Sequence, residues 1–240
     1  MKKKFKNKTC VVIPCYKVSN KILDVLNSKY LKIIDQIIII DDKCPEKTGK
    51  MIKQKFKDNQ KIKVLFNKKN QGVGGATITG FRYALKNNFK VVIKIDGDGQ
   101  HKLHILNKLI LLLSRKTDFC KGYRNLNFNS YLKHNMPFIR LLGAIGLTLL
   151  TRFNSGNYNI KDACHGLIGF KCYFLKKINL DKIKKNYLFE QDIIFEVIKS
   201  NGNIKHVRNE VIYNNETSSL NPLSSIIPFL FFHLKKFFSP

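Results

Sequence analysis

The sequence predicts an α/β fold, with a mainly parallel sheet that carries helices on both faces. Strand and helix patterns alternate along the first part of the chain, in the order of successive β-α-β units. Polar residues directly follow three of the predicted strands, where parallel sheets bind their ligands. The chain has 240 residues, of which 44% are hydrophobic, and this suits one sizeable core with a small appendage.

The individual elements follow from the spacing of the apolar residues. Short β-branched runs predict strands, and longer stretches with apolar residues on one face predict helices. Strands are predicted at residues 10–14, 36–41, 62–66, 91–95, 118–122 and 207–213. Helices are predicted at residues 19–28, 48–57, 74–88, 140–153 and 187–200, and an aromatic-rich tail follows at 226–238.

The composition is strongly basic. Lys and Arg number 44 against 16 Asp and Glu, which gives a formal net charge of +28. Such a charge favours a polyanionic partner, which is nucleic acid, an anionic membrane surface or a phosphorylated substrate. Lysines are interspersed with asparagine and isoleucine, as a coding bias would also produce, so the charge does not choose among these partners. Carboxylates are scarce, and their positions are therefore informative.

The most informative carboxylates are Asp96 and Asp98, in the segment Asp-Gly-Asp-Gly-Gln that follows the apolar run 91–95. The glycines indicate that the chain turns out of the sheet there. Two carboxylates one residue apart at a strand end suit Mg²⁺ or Mn²⁺, which prefer a few carboxylates plus the oxygens of a bound diphosphate. The alternative is a surface turn between two elements.

The cysteines and histidines give no sign of a zinc site. The six cysteines show no C-x-x-C spacing, and the lysine-rich residues 2–8 lack the apolar stretch of a signal peptide. We therefore expect a reduced, cytoplasmic setting with most thiols buried. His101 and His104 have no partnered cysteine pair and are interpreted as polar residues at the start of a helix.

Two stretches, 138–153 and 226–238, are apolar but too short and too charged to span a membrane, which takes about 18 apolar residues. The first contains Arg140 and Arg152, and the second contains Lys235 and Lys236. Each is interpreted either as an amphipathic helix on a membrane surface or as an element packed on the domain.

The glycine-rich segment 70–76 lies between a predicted strand and a predicted helix. It lacks the G-x-G-x-x-G spacing of a dinucleotide-binding loop, it follows the third strand instead of the first, and no Walker A lysine follows it. Its backbone amides are able to approach a phosphate closely. The alternative is tight packing of the helix on the sheet.

Four segments in succession resemble family-2 glycosyltransferases of GT-A fold, and most of all the dolichyl- or polyprenyl-phosphate mannose or glucose synthase branch. They are residues 11–16, 40–42, 70–76 with Gly80, and 94–101, and the resemblance extends over residues 8–220. It implies a Rossmann-like GT-A domain at residues 1–220, followed by an amphipathic helical tail at residues 221–240. It also implies inverting, metal-dependent sugar transfer from a UDP- or GDP-sugar.

The resemblance assigns roles on the donor side. It implies that Pro14 and Tyr16 line the base pocket and that Asp42 accepts hydrogen bonds from the nucleobase edge. Gly72 would also contact the donor. The divalent cation, Mg²⁺ or Mn²⁺, would be held against the diphosphate by Asp96, Asp98 and Gln100, with Asp98 also counted as catalytic.

The same resemblance assigns roles on the acceptor side. Arg124 would contact phosphate, with Arg140 a weaker candidate, and Asp162 and Ser218 would belong to segments near the acceptor and the donor. Asp192, at the head of a predicted helix, would be the general base for a hydroxyl acceptor. A phosphate acceptor is already anionic and needs little help from a base, so Asp192 would then position other groups. The alternative is a carboxylate favoured by the helix dipole.

The expected function is therefore sugar transfer to a polyprenyl or dolichyl phosphate by a protein peripheral to the inner face of a membrane. Transfer to a sugar hydroxyl in polysaccharide synthesis is the alternative within the same family. A nucleic-acid-binding protein would explain the charge but not the paired carboxylates, so no nucleic acid is expected. A dinucleotide-dependent oxidoreductase is disfavoured by the position of the glycine-rich segment.

Overall fold

The computed structural model describes residues 8–127, 136–211, 213 and 222–238. The strands are β1 (Thr9–Cys15), β2 (Gln36–Asp41), β3 (Ile62–Phe66), β4 (Val91–Lys94), β5 (Phe119–Tyr123), β6 (Ile168–Lys171) and β7 (Ile204–Arg208). The helices are α1 (Ser19–Leu26), α2 (Thr48–Lys55), α3 (Gly72–Lys86), α4 (Leu106–Leu113), α5 (Phe138–Ser155), α6 (Cys172–Leu175), α7 (Phe189–Lys199) and α8 (Pro222–Phe238). Short 3₁₀ helices cover Lys29–Ile33 and Leu103–Ile105.

The seven described strands form one sheet in the order β3-β2-β1-β4-β6-β5-β7. β1 pairs in parallel with β2 and β4, β2 pairs in parallel with β3, and β5 pairs in parallel with β7. β6 runs antiparallel to both of its neighbours, β4 and β5. The predicted mainly parallel α/β sheet is confirmed.

The sheet separates two apolar layers, as the alternation of side chains along a strand requires. Val12 of β1 contributes to one layer, which α3 and α7 cover with residues such as Phe81 and Phe189. Val11 and Ile13 contribute to the other layer, which α1, α2 and α4 cover. The prediction of helices on both faces is therefore confirmed.

Two parts of the predicted pattern differ from the structure. The last strand was predicted at residues 207–213, but β7 covers Ile204–Arg208, because its register is set by pairing with β5 from Phe119↔Ile204 to Tyr123↔Arg208. Val211 makes only an isolated bridge to His101. β6, α4 and α6 were not predicted. β6 has four residues, too few for its pattern to stand out from the surrounding loops.

The two apolar stretches at 138–153 and 226–238 both form helices, α5 and α8, which pack against one another. Phe153 of α5 stacks on Phe237 of α8 with ring centroids 5.9 Å apart, and Phe232 of α8 meets Phe195 of α7 at 5.9 Å. The tail predicted at residues 221–240 thus rests on the domain through α8, while its boundary near residue 220 lies outside the described residues. Among the described residues, no helix is long and apolar enough to cross a membrane.

Candidate active site

The predicted donor residues lie at one edge of the sheet. The strands β1, β2 and β4 are parallel and adjacent, so their carboxyl ends point to the same side. Tyr16 follows β1 and is 43% exposed, while Pro14 is half-buried near the end of the strand. Asp42 follows β2, and its backbone N–H donates to the Cys15 carbonyl at 3.1 Å. Asp96 follows the end of β4.

Asp42 is almost fully buried, and its carboxylate already has partners within the protein. It accepts hydrogen bonds from the Asn67 side-chain amide at 2.7 Å and from the Gln71 backbone N–H at 3.0 Å. These contacts fix the carboxylate at the start of the segment that leads into α3. Both oxygens of Asp42 have partners within the protein, since Oδ2 also accepts from the Gln71 N–H at 3.0 Å, and the predicted contact with a nucleobase stays a prediction.

The glycine-rich segment packs against the backbone of another loop. Gly72 has a φ of +77°, and a Cβ there would lie 2.7 Å from the Lys185 carbonyl oxygen. The backbone N–H of Gly75 donates to the same carbonyl at 2.9 Å. The close approach that requires glycine at this helix start is thus made to protein backbone, which is the tight-packing alternative. Contact of Gly72 with the donor remains a prediction.

The carboxylate of Asp96 is held between two basic side chains. Its Oδ1 lies 2.6 Å from the Lys94 ammonium, and its Oδ2 lies 2.8 Å from Nε2 of His101. The Lys94 ammonium also reaches Oε1 of Glu190 at 3.1 Å. Gly166 packs directly against this carboxylate, since a Cβ at that position would overlap the Asp96 oxygens. The loop at 162–166 therefore meets the donor side of the site.

Electrostatics hold this cluster in its ionised form. Burial alone would lower the pKa of Lys94, but the carboxylates of Asp96 and Glu190 outweigh that effect and raise the pKa above its ordinary value. Burial alone would raise the pKa of Asp96, but the Lys94 ammonium and the hydrogen bond from His101 hold that pKa well below its usual range. The two ions therefore stabilise one another across the end of β4.

Sequence reasoning did not find the roles of Lys94 and His101. Lys94 is fully buried in the middle of an apolar strand, and a lysine inside such a run was the available signal. His101 was interpreted as a polar residue at a helix start; it lies two residues before the 3₁₀ helix Leu103–Ile105, and the structure adds contacts that this interpretation does not include. It is buried, stacks on His165 with ring centroids 5.1 Å apart, and contacts Asp96. Its Nδ1 has no hydrogen-bond partner among the residues that the structure describes.

Two further buried groups support this cluster. The Lys121 ammonium donates to the His165 carbonyl, and burial lowers the pKa of Lys121 to about 8 despite the nearby Glu190 and Asp162 carboxylates. The His165 ring donates through Nε2 to the Asn209 carbonyl and accepts at Nδ1 from the Leu167 backbone. This tautomer is neutral, and burial together with His101 lowers the pKa of His165 well below its ordinary value.

Asp98 and Gln100 complete the predicted cation site. The backbone N–H of Gln100 donates to Oδ1 of Asp98 at 3.0 Å, and both side chains are half-buried at the end of β4. Carboxylate and amide oxygens are ligands that suit Mg²⁺ or Mn²⁺, which needs only one or two carboxylates when a diphosphate supplies the rest. These residues fit such a cation. Asp96 has both oxygens occupied by Lys94 and His101, so the fit rests mainly on Asp98 and Gln100.

Two residues predicted for the acceptor, Arg124 and Asp162, form a buried bidentate pair. Nε of Arg124 lies 2.7 Å from Oδ2 of Asp162, and Nη2 lies 3.0 Å from Oδ1. The third donor of the guanidinium, Nη1, reaches the Tyr213 hydroxyl at 2.8 Å. The guanidinium of Arg140 lies over the same Tyr213 ring at 5.6 Å. Three of the four residues predicted for phosphate or the acceptor, Arg124, Arg140 and Asp162, therefore lie close together. The fourth, Ser218, lies outside the described residues.

A groove of about 520 Å³ opens beside these arginines. Its walls are mostly apolar and come from α5 and α8, with Leu147 and Leu150 on one side and Phe229 and Leu230 on the other. Arg124, Arg140, Cys164 and Ser225 also line it. The groove therefore combines an apolar length with guanidinium groups that meet at Tyr213.

Asp192 lies in the first turn of α7 and is nearly buried. Its Oδ2 accepts from the Lys184 backbone N–H at 2.8 Å, and its Oδ1 lies 2.8 Å from the Lys236 ammonium of α8. The preceding residue, Gln191, accepts from His233 of α8 at 3.0 Å. Both oxygens of the predicted base therefore have partners within the protein.

Comparison with known proteins identifies the family. The family model described as "Glycosyl transferase family 2" matches residues 10–179. The chain is 28% identical over 216 residues to the UDP-N-acetylglucosamine–dolichyl-phosphate N-acetylglucosaminyltransferase of Methanococcus voltae, which covers 85% of each chain. It is 25% identical over 204 residues to the polyprenol monophosphomannose synthase of Mycolicibacterium smegmatis, which covers 83% of this chain and 76% of that one.

Solved structures share the fold. Glucosyl-3-phosphoglycerate synthase from Mycobacterium tuberculosis in complex with UDP superposes with a TM-score of 0.71 and covers 99% of this chain and 82% of that one, at 16% identity. The same protein in complex with Mn²⁺, UDP and glucosyl-3-phosphoglycerate gives a TM-score of 0.63, at 14% identity, and covers 96% of this chain and 81% of that one. The sheet with its flanking helices is therefore of the GT-A type. Together with the family match, this makes the chain a member of glycosyl transferase family 2 and a glycosyltransferase.

Proposed function

We propose that this glycosyltransferase transfers a sugar from a UDP- or GDP-sugar to a polyprenyl or dolichyl phosphate. The observation that carries the proposal is the groove between α5 and α8, which joins an apolar length to Arg124 and Arg140. An isoprenoid chain suits the apolar walls, and guanidinium groups make charge-assisted hydrogen bonds to phosphate oxygens. Arg124 is paired with Asp162 and Tyr213, so Arg140 is the main candidate for this contact. The relatives named for transfer to dolichyl phosphate and for polyprenol monophosphomannose synthesis support the same acceptor class.

The donor would lie at the carboxyl ends of β1, β2 and β4. We infer that Pro14 and Tyr16 contact the base, that Asp42 accepts a hydrogen bond from it, and that Asp98 and Gln100 hold Mg²⁺ or Mn²⁺ beside Asp96. When bound, the cation would neutralise charge that develops on the leaving nucleoside diphosphate. Structural neighbours were solved with UDP and with Mn²⁺, which supports this arrangement.

The surroundings of Asp192 support a phosphate acceptor over a hydroxyl acceptor. A general base must reach the proton that it removes. Asp192 is 3% exposed, and both of its oxygens contact donors of the protein itself. A phosphate acceptor is an anion before it attacks, so it does not depend on a free base. Asp192 would then hold neighbouring groups in place.

The acceptor assignment predicts the effect of Arg140→Met. The substitution should raise the KM for undecaprenyl phosphate by about 10- to 100-fold, because a hydrogen bond to a charged group contributes about 1.5–3 kcal/mol. It should leave the affinity for UDP or GDP unchanged, since Arg140 lies on the groove and not at the donor edge. Steady-state transfer of labelled sugar to the lipid in detergent micelles measures the first effect, and calorimetry measures the second.

Arg82→Met is the matched control, because it removes an exposed arginine that pairs with Asp181 on the surface. An unchanged lipid KM in Arg140→Met would contradict the assignment of the groove. Transfer by the wild type to a soluble sugar hydroxyl, with none to undecaprenyl phosphate, would reject the lipid-phosphate acceptor while leaving the glycosyltransferase assignment intact.

We also propose that α5 and α8 place the protein on an anionic membrane surface, on the side from which the nucleotide sugar is supplied. Both helices expose large apolar side chains, among them Leu149 and Phe153 of α5 and Ile227 and Phe231 of α8, with exposures of 54% to 69%. These residues belong to the two helices that line the groove. If they lie in the bilayer, a lipid would enter the groove from the bilayer. The net charge of +28 is compatible with attraction to an anionic leaflet, although the charge alone does not select this partner.

We expect the double substitution Ile227→Ser and Phe231→Ser to weaken sedimentation with anionic vesicles by at least about 10-fold. Each exposed side chain that enters the bilayer contributes about 1.5 kcal/mol or more through burial of apolar area. High salt should weaken binding of the wild type as well, since charges attract it to the surface. Tyr173→Ser is the control, because Tyr173 is 68% exposed but lies on α6. Equal sedimentation of both variants would argue against this surface.

A further inference from the structure

The first turn of α7 is held from two directions. Glu190 contacts the Lys94 ammonium of β4 at 3.1 Å. The next two residues both contact α8, since Gln191 meets His233 at 3.0 Å and Asp192 meets Lys236 at 2.8 Å. Three consecutive polar side chains thus link the donor edge of the sheet to the C-terminal helix.

Lys236 has a defined place in this contact. Its ammonium lies 2.8 Å from Asp192 and 4.0 Å from Glu196, and it stands over the rings of Phe195 and Phe232 at 5.2 and 5.6 Å. The Lys236 side chain is only 22% exposed, and that of Asp192 is 4% exposed. The neighbouring Lys235, in contrast, is exposed to solvent.

We propose that Lys236 is a positioning residue of the acceptor site. It holds Asp192, and with it the first turn of α7, from the C-terminal helix. α8 is therefore a wall of the reacting crevice as well as a membrane-binding helix. The proposal rests on the proposed function, because it takes the groove between α5 and α8 as the place of the acceptor.

The physical reason is that α8 both lines the groove and contacts Asp192. α8 lines the groove through Ser225, Ile226, Phe229 and Leu230, and it reaches Asp192 through Lys236. If the ammonium is removed, the nearly buried Asp192 carboxylate loses its counterion, and the contact between α8 and α7 weakens. The groove and the first turn of α7 would then shift together. Small displacements of positioning groups slow enzymatic reactions strongly.

The test compares Lys236→Met with Lys235→Met in neutral detergent micelles. Both variants remove one positive charge from the same helix, but only the first loses a contact with Asp192. Lys236→Met should lower kcat/KM for undecaprenyl phosphate by about 10- to 100-fold, as expected when a positioning contact is lost. Lys235→Met should stay within about twofold of the wild type, as is usual for surface substitutions. Lys236→Arg should recover most of the activity.

Donor binding separates positioning from general damage. Calorimetry with UDP or GDP and Mn²⁺ should give a similar affinity for the wild type and Lys236→Met, because the donor-edge carboxylates Asp96 and Glu190 are held by Lys94 and not by Lys236. In a double-mutant cycle with Asp192→Asn, the losses of kcat/KM in the two single variants should not add. The double variant should be no slower than Lys236→Met alone. The double variant also lacks the unpaired carboxylate, which keeps the test valid if Lys236→Met folds poorly.

Two results would overturn the proposal, namely transfer by Lys236→Met at the rate of Lys235→Met, or losses that simply add in the cycle. A failure of the proposed acceptor looks different. If the wild type transfers sugar only to a soluble hydroxyl acceptor, the lipid-phosphate function is wrong. The same variants are then compared on that acceptor, where the double-mutant cycle again decides whether Lys236 acts through Asp192.

Discussion

Asp98→Asn is expected to lower the rate of sugar transfer by about 1,000-fold, which corresponds to about 4 kcal/mol of lost transition-state stabilisation. This expectation rests on the proposed cation site. Lys94 and His101 contact both oxygens of Asp96, so we propose that Asp98 contributes most of the negative charge that attracts the cation. An asparagine keeps the shape of the side chain but removes the negative charge that attracts the ion.

The measurement has two parts, so that it does not depend on activity alone. Electron paramagnetic resonance of Mn²⁺ should show weaker binding in the presence of UDP or GDP, and radiometric assay should show the loss of transfer. Thermal unfolding should stay near that of the wild type, because Asp98 is only half-buried. Asp58→Asn, which changes an exposed carboxylate, is the control. Transfer by Asp98→Asn near the normal rate without added divalent cation would contradict the metal assignment.

Lys94→Met is expected to lower the free energy of unfolding by about 3–5 kcal/mol, the usual cost of removing one partner from a buried ion pair. Lys94 is fully buried and contacts two carboxylates at once, that of Asp96 just after β4 and that of Glu190 on α7. Methionine fills a similar volume, so the loss would report the charge and not a cavity. Between the ordinary pKa values of 3.8 for Asp96 and 10.5 for Lys94, both groups are ionised even in the unfolded chain, and their attraction contributes fully.

Urea unfolding followed by circular dichroism measures this effect at neutral pH. Lys90→Met provides the control, since Lys90 is exposed just before the same strand. The double variant Lys94→Met with Glu190→Gln should regain part of the stability, because only one carboxylate then remains without its counterion. If Lys94→Met unfolds at the urea concentration of the control, the ion pairs that the structure shows do not stabilise the fold as we expect.

Local sequence patterns predicted most of the strands and polar residues assigned to the donor. β-branched runs predicted β1 to β4 to within about two residues at each end, since such runs favour the extended backbone of a buried strand. The polar residues after β1, β2 and β4 then had to share one edge, because parallel strands end on the same side. The gathering of these polar residues at one edge was therefore predictable from spacing alone.

The contacts of the residues predicted for the acceptor could not be predicted from local sequence. The pairing of Arg124 with Asp162 joins residues 38 positions apart, and the groove needs α5 and α8 to pack together across the chain. The antiparallel β6 was missed because four residues give no clear period. None of these features leaves a local signal, since each depends on which distant segment lies next to which.

The sequence by itself determined the order of strands and helices in the first half, the edge at which polar residues gather, and the resemblance that the family match confirmed. Only the tertiary structure decided which groups those residues contact. Lys94 lies between Asp96 and Glu190, and Lys236 reaches Asp192, although long stretches of chain separate Glu190 from Lys94 and Lys236 from Asp192. The physical reason is that a buried ion needs a counterion close by, and packing alone determines which distant residue supplies it.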